Sequence, residues 1–431
     1  MKQHRPKPLI PSRYFMVLGT FLLALLMYVD RIGISVAKGP MTESLGLSDK
    51  QFGWALSVFA LGYALFQTPF GMLADRFGPR KILTAVVSLW SIFTALTGAV
   101  TQYFSLIIVR FLFGVGEAGA YPGIAKGVYL WIPIRERGVV NGINFSGGRF
   151  GAAFSLPLIA FILDLVGWRA TFFILGLVGI LWATAWYLLF RDKPEDHPYV
   201  SAYEKEEILK ARGEVKEEKK AGSKVALHSM LHSKNMWLAM GQYFASNFTF
   251  FFCLTWLFPH LQEQYNLAAV EAGFYSSLPL IAGGFGNMVS GWMVDAIYRR
   301  GYFRWSRILP AILGFGLAAA GLIISLFAQD VVIAISFLSM AVFGADMTLS
   351  PSWTFCVDIG KAHSGAVSGT MNMAGNIGSF LTALAFPYLR EWTGSVTPFF
   401  ILGAVLNILA IFIWLKMKPD VPISFETKST T

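Results

Sequence analysis

Twelve apolar runs of about 20 residues, separated by short polar segments, restrict this chain more than any other feature. A bilayer's hydrocarbon core is about 30 Å thick, which a helix of about 20 residues crosses. A water-soluble chain could bury a large apolar core but would not repeat runs of that length. The runs lie at about 14–37, 51–72, 82–100, 104–126, 139–165, 170–190, 236–258, 273–293, 308–327, 331–356, 366–388 and 397–415. The expected class is an all-α polytopic membrane protein. The first run is too long for a cleavable leader and more spans follow it.

The net charge of +10 is topological. With a cytoplasmic N-terminus and twelve spans, 28 of the 35 Lys and Arg residues fall in the termini and the even-to-odd loops. That asymmetry is the positive-inside rule, and it puts both termini in the cytoplasm. No nucleic-acid partner is expected. Cys253 and Cys356 fall within spans as packing residues, and the six histidines lie in loops or near span ends, so no metal site is foreseen.

Residues 191–235 are polar and rich in Lys and Glu, and they divide the spans six and six. The expected organisation is a tail (1–13), a six-helix bundle (14–190), a cytoplasmic linker (191–235), a second bundle (236–416) and a tail (417–431). Gly71-Met-Leu-Ala-Asp75-Arg76-Phe-Gly78-Pro79-Arg80-Lys81 returns 220 residues later as Gly291-Trp-Met-Val-Asp295-Ala-Ile-Tyr-Arg299-Arg300-Gly301. Each copy sits between the second and third span of a half, the mark of an internal repeat.

Charges inside the spans point to function. Asp30, Arg31, Arg110, Glu117, Arg149 and Asp346 lie well within them, and unpaired they would cost roughly 15–20 kcal/mol. Arg110, Gly114, Glu117 and Tyr121 are spaced four, three and four, on one helix face. Three bases and three acids are neutral when every acid is ionised, and taking up protons makes the set positive. A cavity of that kind binds an anion better once protonated, a physical basis for proton–anion symport. Arg31 and Arg149 are expected to touch the anion, because a guanidinium meets a carboxylate bidentately. Asp30 and Arg110 fall at the same depth in the outer third and are expected to pair. Asp346, the one deep charge of the C-terminal half, reads equally as a second proton or Na⁺ site or as a hydrogen-bonded structural carboxylate. Among neutral polar residues Gln242 and Asn372 are the better candidates for hydrogen-bonding a hydroxylated substrate. Asp75, Arg76, Arg80, Asp295 and Arg299 are expected to gate the halves.

The duplicated loop, with Tyr28-Val-Asp30-Arg31, the Arg110…Gly116-Glu117-Ala…Pro122 span and Trp131…Glu136-Arg137-Gly138, resembles the major facilitator superfamily, and within it the anion:cation symporter branch. The resemblance covers essentially the whole chain and is nearly silent on the substrate. It implies a twelve-helix fold with the substrate held between the halves, which rock in alternating access. By resemblance Asp30 and Glu117 match proton-coupling acids, while Arg31, Tyr63 and Asn372 match substrate-site positions, with Tyr28 grouped beside them. Arg149 departs from the sugar-acid transporters, where a glutamine is usual, and suggests more anion-binding power.

The expected activity is therefore proton-coupled symport of a small organic anion, such as galactonate, glucarate, a hexuronate or a related carboxylate. The alternatives are anion exchange, or Na⁺-coupled transport of an organic anion or phosphate. No cofactor beyond the coupling ion is expected, and no enzyme motif of useful spacing occurs. The expected setting is the bacterial inner membrane, with the protein a monomer.

Overall fold

The computed structural model describes residues 11–212, 223–267 and 269–425, and its regular structure is helical. Lys2, Arg5 and Lys7 of the basic tail, residues 213–222 of the linker and residues 426–431 lie outside the described residues. The first half comprises α1 (Arg13–Val36), α2 (Lys38–Leu45), α3 (Asp49–Phe77), α4 (Pro79–Thr97), α5 (Tyr103–Glu117), α6 (Ala120–Trp131) and α7 (Arg137–Leu189). Two linker helices follow, α8 (Ala202–Arg212) and α9 (Ser223–His232). The second half comprises α10 (Lys234–Thr255), α11 (Leu257–Tyr265), α12 (Ala269–Arg299), α13 (Phe303–Ser325), α14 (Val331–Met347), α15 (Leu349–Gly360), α16 (Ser364–Thr393) and α17 (Thr397–Lys416).

These helices make twelve crossings in two six-helix halves. α7 holds two of them, broken at Gly167, whose φ of 77° only glycine adopts freely. Crossing 4 is α5 and α6 end to end, and crossing 10 is α14 and α15 end to end. Both breaks fall deep in the bundle. Irregular backbone at membrane depth is tolerated only where protein or a water-filled cavity surrounds it.

Eight helical stretches among the described residues are apolar and long enough to cross a bilayer by composition alone. The first part of α7, α10 and α12 fall short of that. Their polar side chains, among them Asn144, Arg149, Gln242 and Asn287, are buried inside the bundle. Large apolar side chains such as Phe154, Phe161, Leu177 and Leu181 are instead exposed, as a lipid-facing belt requires.

Close helix approach follows the small residues. At Gly147, Gly148 and Gly151 of α7 an added Cβ would meet Phe21, the Tyr28 ring and the Leu25 backbone of α1. Between the halves, Gly71 of α3 lies against the Gly365 backbone of α16, and Gly142 of α7 against the Asn287 carbonyl of α12. The first and last described residues share one face, here the termini face, linked by contacts around Glu136, Asp358 and Ile359. Toward that face one hydrophobic core spans both halves, from Met16 and Trp90 to Trp353 and Trp414. Toward the distal face it splits, with Ile34, Phe52 and Trp168 in the first half and Phe248, Phe386 and Phe399 in the second. The halves are joined near the termini and part away from them.

Candidate transport site

Between the halves lies a cavity of about 60 Å³, reached by Tyr28 and Arg31 from α1, Tyr63 from α3, Arg149 from α7, Tyr243 and Asn247 from α10, Asp346 from α14, and Asn372 and Asn376 from α16. Tyr121, Phe145 and Trp353 pack against one another with ring centroids 5.1–5.4 Å apart. The Trp353 indole donates to the Tyr243 hydroxyl at 2.9 Å. These rings close the cavity toward the termini face.

Two arginine–carboxylate pairs dominate the chemistry. Arg31 donates from Nε to both oxygens of Glu117, at 2.9 and 3.0 Å. Its guanidinium sits among the rings of Tyr63, Tyr28 and Phe59, at 4.5, 5.2 and 5.3 Å from their centroids. Glu117 is fully buried, whereas the Arg31 side chain keeps 21% of its surface exposed. Position on the helices explains the pair: Arg31 follows Asp30 by about 100° on α1 and so turns to a different neighbour.

The second pair joins the two halves. Arg149 donates from Nε and Nη2 to Asp346 at 2.7 Å each, and from Nη1 to the Tyr28 hydroxyl at 2.9 Å. Its guanidinium lies 3.6 Å from the centroid of the Phe250 ring. Both side chains are buried, and Gly283 of α12 leaves the space that the Asp346 carboxylate fills. The expectation of a site facing the anion through Arg149 therefore needs a qualification, since the bidentate Nε–Nη2 edge of its fork is taken by Asp346 within the protein. Asp346 is an arginine partner in this state.

Two expectations are corrected. Asp30 does not pair with Arg110: its Oδ2 accepts the Trp90 indole N–H at 3.0 Å. Among the described residues Arg110 makes no ion pair within 4 Å, and it lies over the Phe113 and Phe59 rings at 4.7 and 5.2 Å, with Nε unpartnered. Equal depth does not imply contact, because Trp90 of α4 claims the space beside Asp30. Gln242 is not a cavity residue either. Its Oε1 accepts from Ser352 and the Trp414 indole, and its Nε2 donates to the Ala239 carbonyl, all inside the second half. Tyr28, Tyr63 and Asn372 do line the cavity.

The repeated loops close the termini face. Asp75 accepts from the backbone N–H of Gly365 and Ala366, at the start of α16, and faces Lys126 at 3.3 Å. Asp295 accepts from Gly138 and Val139 at the start of α7. Arg80 does not bridge the halves: its Nε donates to the Tyr187 carbonyl of its own half, and its backbone N–H donates to Asp192. Arg76 lies over Phe77 and Arg299 is exposed at the end of α12. Sequence reasoning missed Arg137 and Arg307, which grip Asp358 at 2.9 Å each, and Lys126, which also donates to the Ala362 carbonyl. Their only signal was a carboxylate and bases near span ends, which most loops share.

Two like halves, sealed at one end around a charged cavity that opens toward the other, define a secondary transporter of the membrane. The profile of the Major Facilitator Superfamily matches residues 20–383, and the chain belongs to that family: it is a multi-pass membrane transporter, not an enzyme. The probable sulfoacetate transporter SauU of Cupriavidus necator is 34% identical over 410 residues, covering 94% of each chain. The probable galactarate/D-glucarate transporter GarP of Escherichia coli is 30% identical over 430 residues, covering 96% of each. Among solved structures, the proton:xylose symporter XylE bound to 6-bromo-6-deoxy-D-glucose is 15% identical, with a TM-score of 0.74 over 94% of this chain and 96% of that one, a likeness of fold.

Proposed function

We propose that the protein is a proton-coupled symporter of a small organic anion. The observation that carries this reading is the Arg31–Glu117 pair beside the cavity. With both charged, the pair is neutral and Arg31 is spoken for. A proton on Glu117 removes the competing carboxylate and leaves a guanidinium, ringed by aromatics, for the anion's carboxylate. Proton and anion then raise each other's affinity, as linkage demands. Tyr63, Asn372 and Asn376 add hydrogen-bond partners for a substrate's hydroxyls. The two relatives, named for sulfoacetate and for galactarate/D-glucarate, support an organic anion.

Alternating access follows by rocking residues 14–190 against 236–416, with the Asp75 and Asp295 contacts breaking as the termini face opens. The basic asymmetry supports cytoplasmic termini in a bacterial inner membrane. The test is uptake of sulfoacetate, galactarate and galactonate into proteoliposomes under an imposed pH gradient, with Na⁺ replaced by K⁺ in a parallel arm. Accumulation that follows the pH gradient and ignores Na⁺ is expected. Counterflow without gradient-driven accumulation would identify exchange instead.

A further inference from the structure

Glu117 is the last residue of α5, and Asp346 is the residue before the last of α14. They close the first segments of the broken crossings 4 and 10, which hold the same place in the two six-helix repeats. Each carboxylate at such a break is gripped by an arginine from a first-half helix, Arg31 of α1 or Arg149 of α7. The cavity thus holds two copies of one device.

We propose that Arg149 and Asp346 form a second, exchangeable anchor, and that the substrate is a small dianion, a dicarboxylate or a sulfocarboxylate. One anionic group takes Arg31 and the other takes Arg149, while Glu117 and Asp346 each leave their arginine in protonated form. This rests on the symport reading above.

The geometry favours exchange over a permanent strap. Asp346 comes from the opposite half, so its carboxylate approaches the Arg149 fork edge-on as a separate body, as a substrate carboxylate would. Each nitrogen of Arg149 already makes one bond: the Nε–Nη2 edge is taken by Asp346, and Nη1 donates to the Tyr28 hydroxyl. An anion gains the bidentate Nε–Nη2 edge of Arg149 by replacing Asp346. Phe250 covers the guanidinium face and keeps that exchange out of bulk water. The Arg31 and Arg149 guanidinium carbons lie 5.2 and 5.8 Å from the centroid of the same Tyr28 ring, hence no more than about 11 Å apart. A short dianion can bridge that gap.

The other titratable groups around Asp346 are few. Arg149 faces it from α7, with Tyr28 of α1 behind that arginine, and the Cys253 thiol lies on α10. Among the described residues, α12, α13 and α15 bring no titratable side chain within hydrogen-bond distance of it. Charge balances: a dianion with two protons moves no net charge, whereas a monoanion with two protons moves one positive charge.

The reconstituted full-length protein tests this with sulfoacetate and galactarate as dianions and galactonate as monoanion. For the wild type, binding calorimetry in two buffers of different ionisation enthalpy is expected to register two protons taken up per sulfoacetate, and sulfoacetate uptake is expected to ignore an imposed membrane potential. The paired variant R149Q/D346N exchanges the ion pair for two amides, avoiding a lone buried charge. It should raise the galactonate-to-sulfoacetate ratio of kcat/KM at least tenfold and make sulfoacetate uptake potential-dependent, with one proton fewer. D346N alone should keep sulfoacetate binding and lose one coupled proton. One proton per sulfoacetate in the wild type, or an unchanged ratio and stoichiometry in R149Q/D346N, would reduce Arg149–Asp346 to a structural strap and leave the symport reading standing. No proton-coupled uptake of any of the three anions by the wild type would overturn both.

Discussion

Asp75 and Asp295, 220 residues apart, each cap the first turn of a helix in the other half: Asp75 that of α16, Asp295 that of α7. The relation is reciprocal, so the termini face is held by two like contacts. Each places a carboxylate on two backbone N–H groups at a helix N-terminus, where the peptide dipoles favour negative charge.

Removing one of these charges should bias the protein toward opening at the termini face. Hydrogen bonds to a charged group contribute about 1.5–3 kcal/mol each. D295N and D75N are each expected to raise maleimide labelling of S350C at least tenfold, because Ser350 lies at this seam with its hydroxyl donating to the Gly138 carbonyl. Unchanged labelling would mean the caps do not hold this state.

Glu117 and Arg31 separate in their kinetics. Glu117→Gln should retain anion exchange and lose accumulation driven by a pH gradient. Arg31→Lys should weaken anion binding tenfold or more, since an ammonium cannot reproduce a planar fork among aromatic rings. Counterflow and gradient-driven uptake, measured side by side, check both.

Gln242 should behave as internal packing. Gln242→Leu removes the acceptor shared by Ser352 and Trp414 and is expected to lower stability by about 1–2 kcal/mol, consistent with the modest worth of such bonds in membranes. The KM for transport should stay within twofold. A tenfold rise would return Gln242 to the substrate site.

Two glycines should respond oppositely to alanine. At Gly151 an added Cβ meets the Leu25 backbone, which cannot yield, so G151A should cost about 1–3 kcal/mol by overpacking. At Gly316, inside α13, an added Cβ meets nothing within 4 Å. G316A should be neutral or gain about 0.5–1 kcal/mol from helix propensity. Thermal unfolding in detergent compares the pair.

Much of the site was legible in the chain because charge in a bilayer is expensive and stands out against an apolar background. Arg31, Glu117, Arg149 and Asp346 were all visible on that ground, as were Asp75 and Asp295 through the repeat. Their pairing was less legible. Depth along a span can be counted from residue numbers, which suggested Asp30 with Arg110, but azimuth and neighbour identity cannot. Gln242 misled for a related reason, since a polar residue in a span is equally suited to a cavity and to a helix seam. Lys126, Arg137, Arg307 and Asp358 went unseen because a charged residue at a span end is ordinary.

The sequence by itself determined the crossings, the repeat and the inventory of buried charge, because bilayer thickness and the cost of burying ions act on each segment separately. Only the tertiary structure decided which carboxylate meets which arginine. That depends on helix rotation and on close glycine contacts such as Gly148 against Tyr28, which are set between segments far apart in the chain. So Arg31 took Glu117, and Arg149 reached across the halves to Asp346.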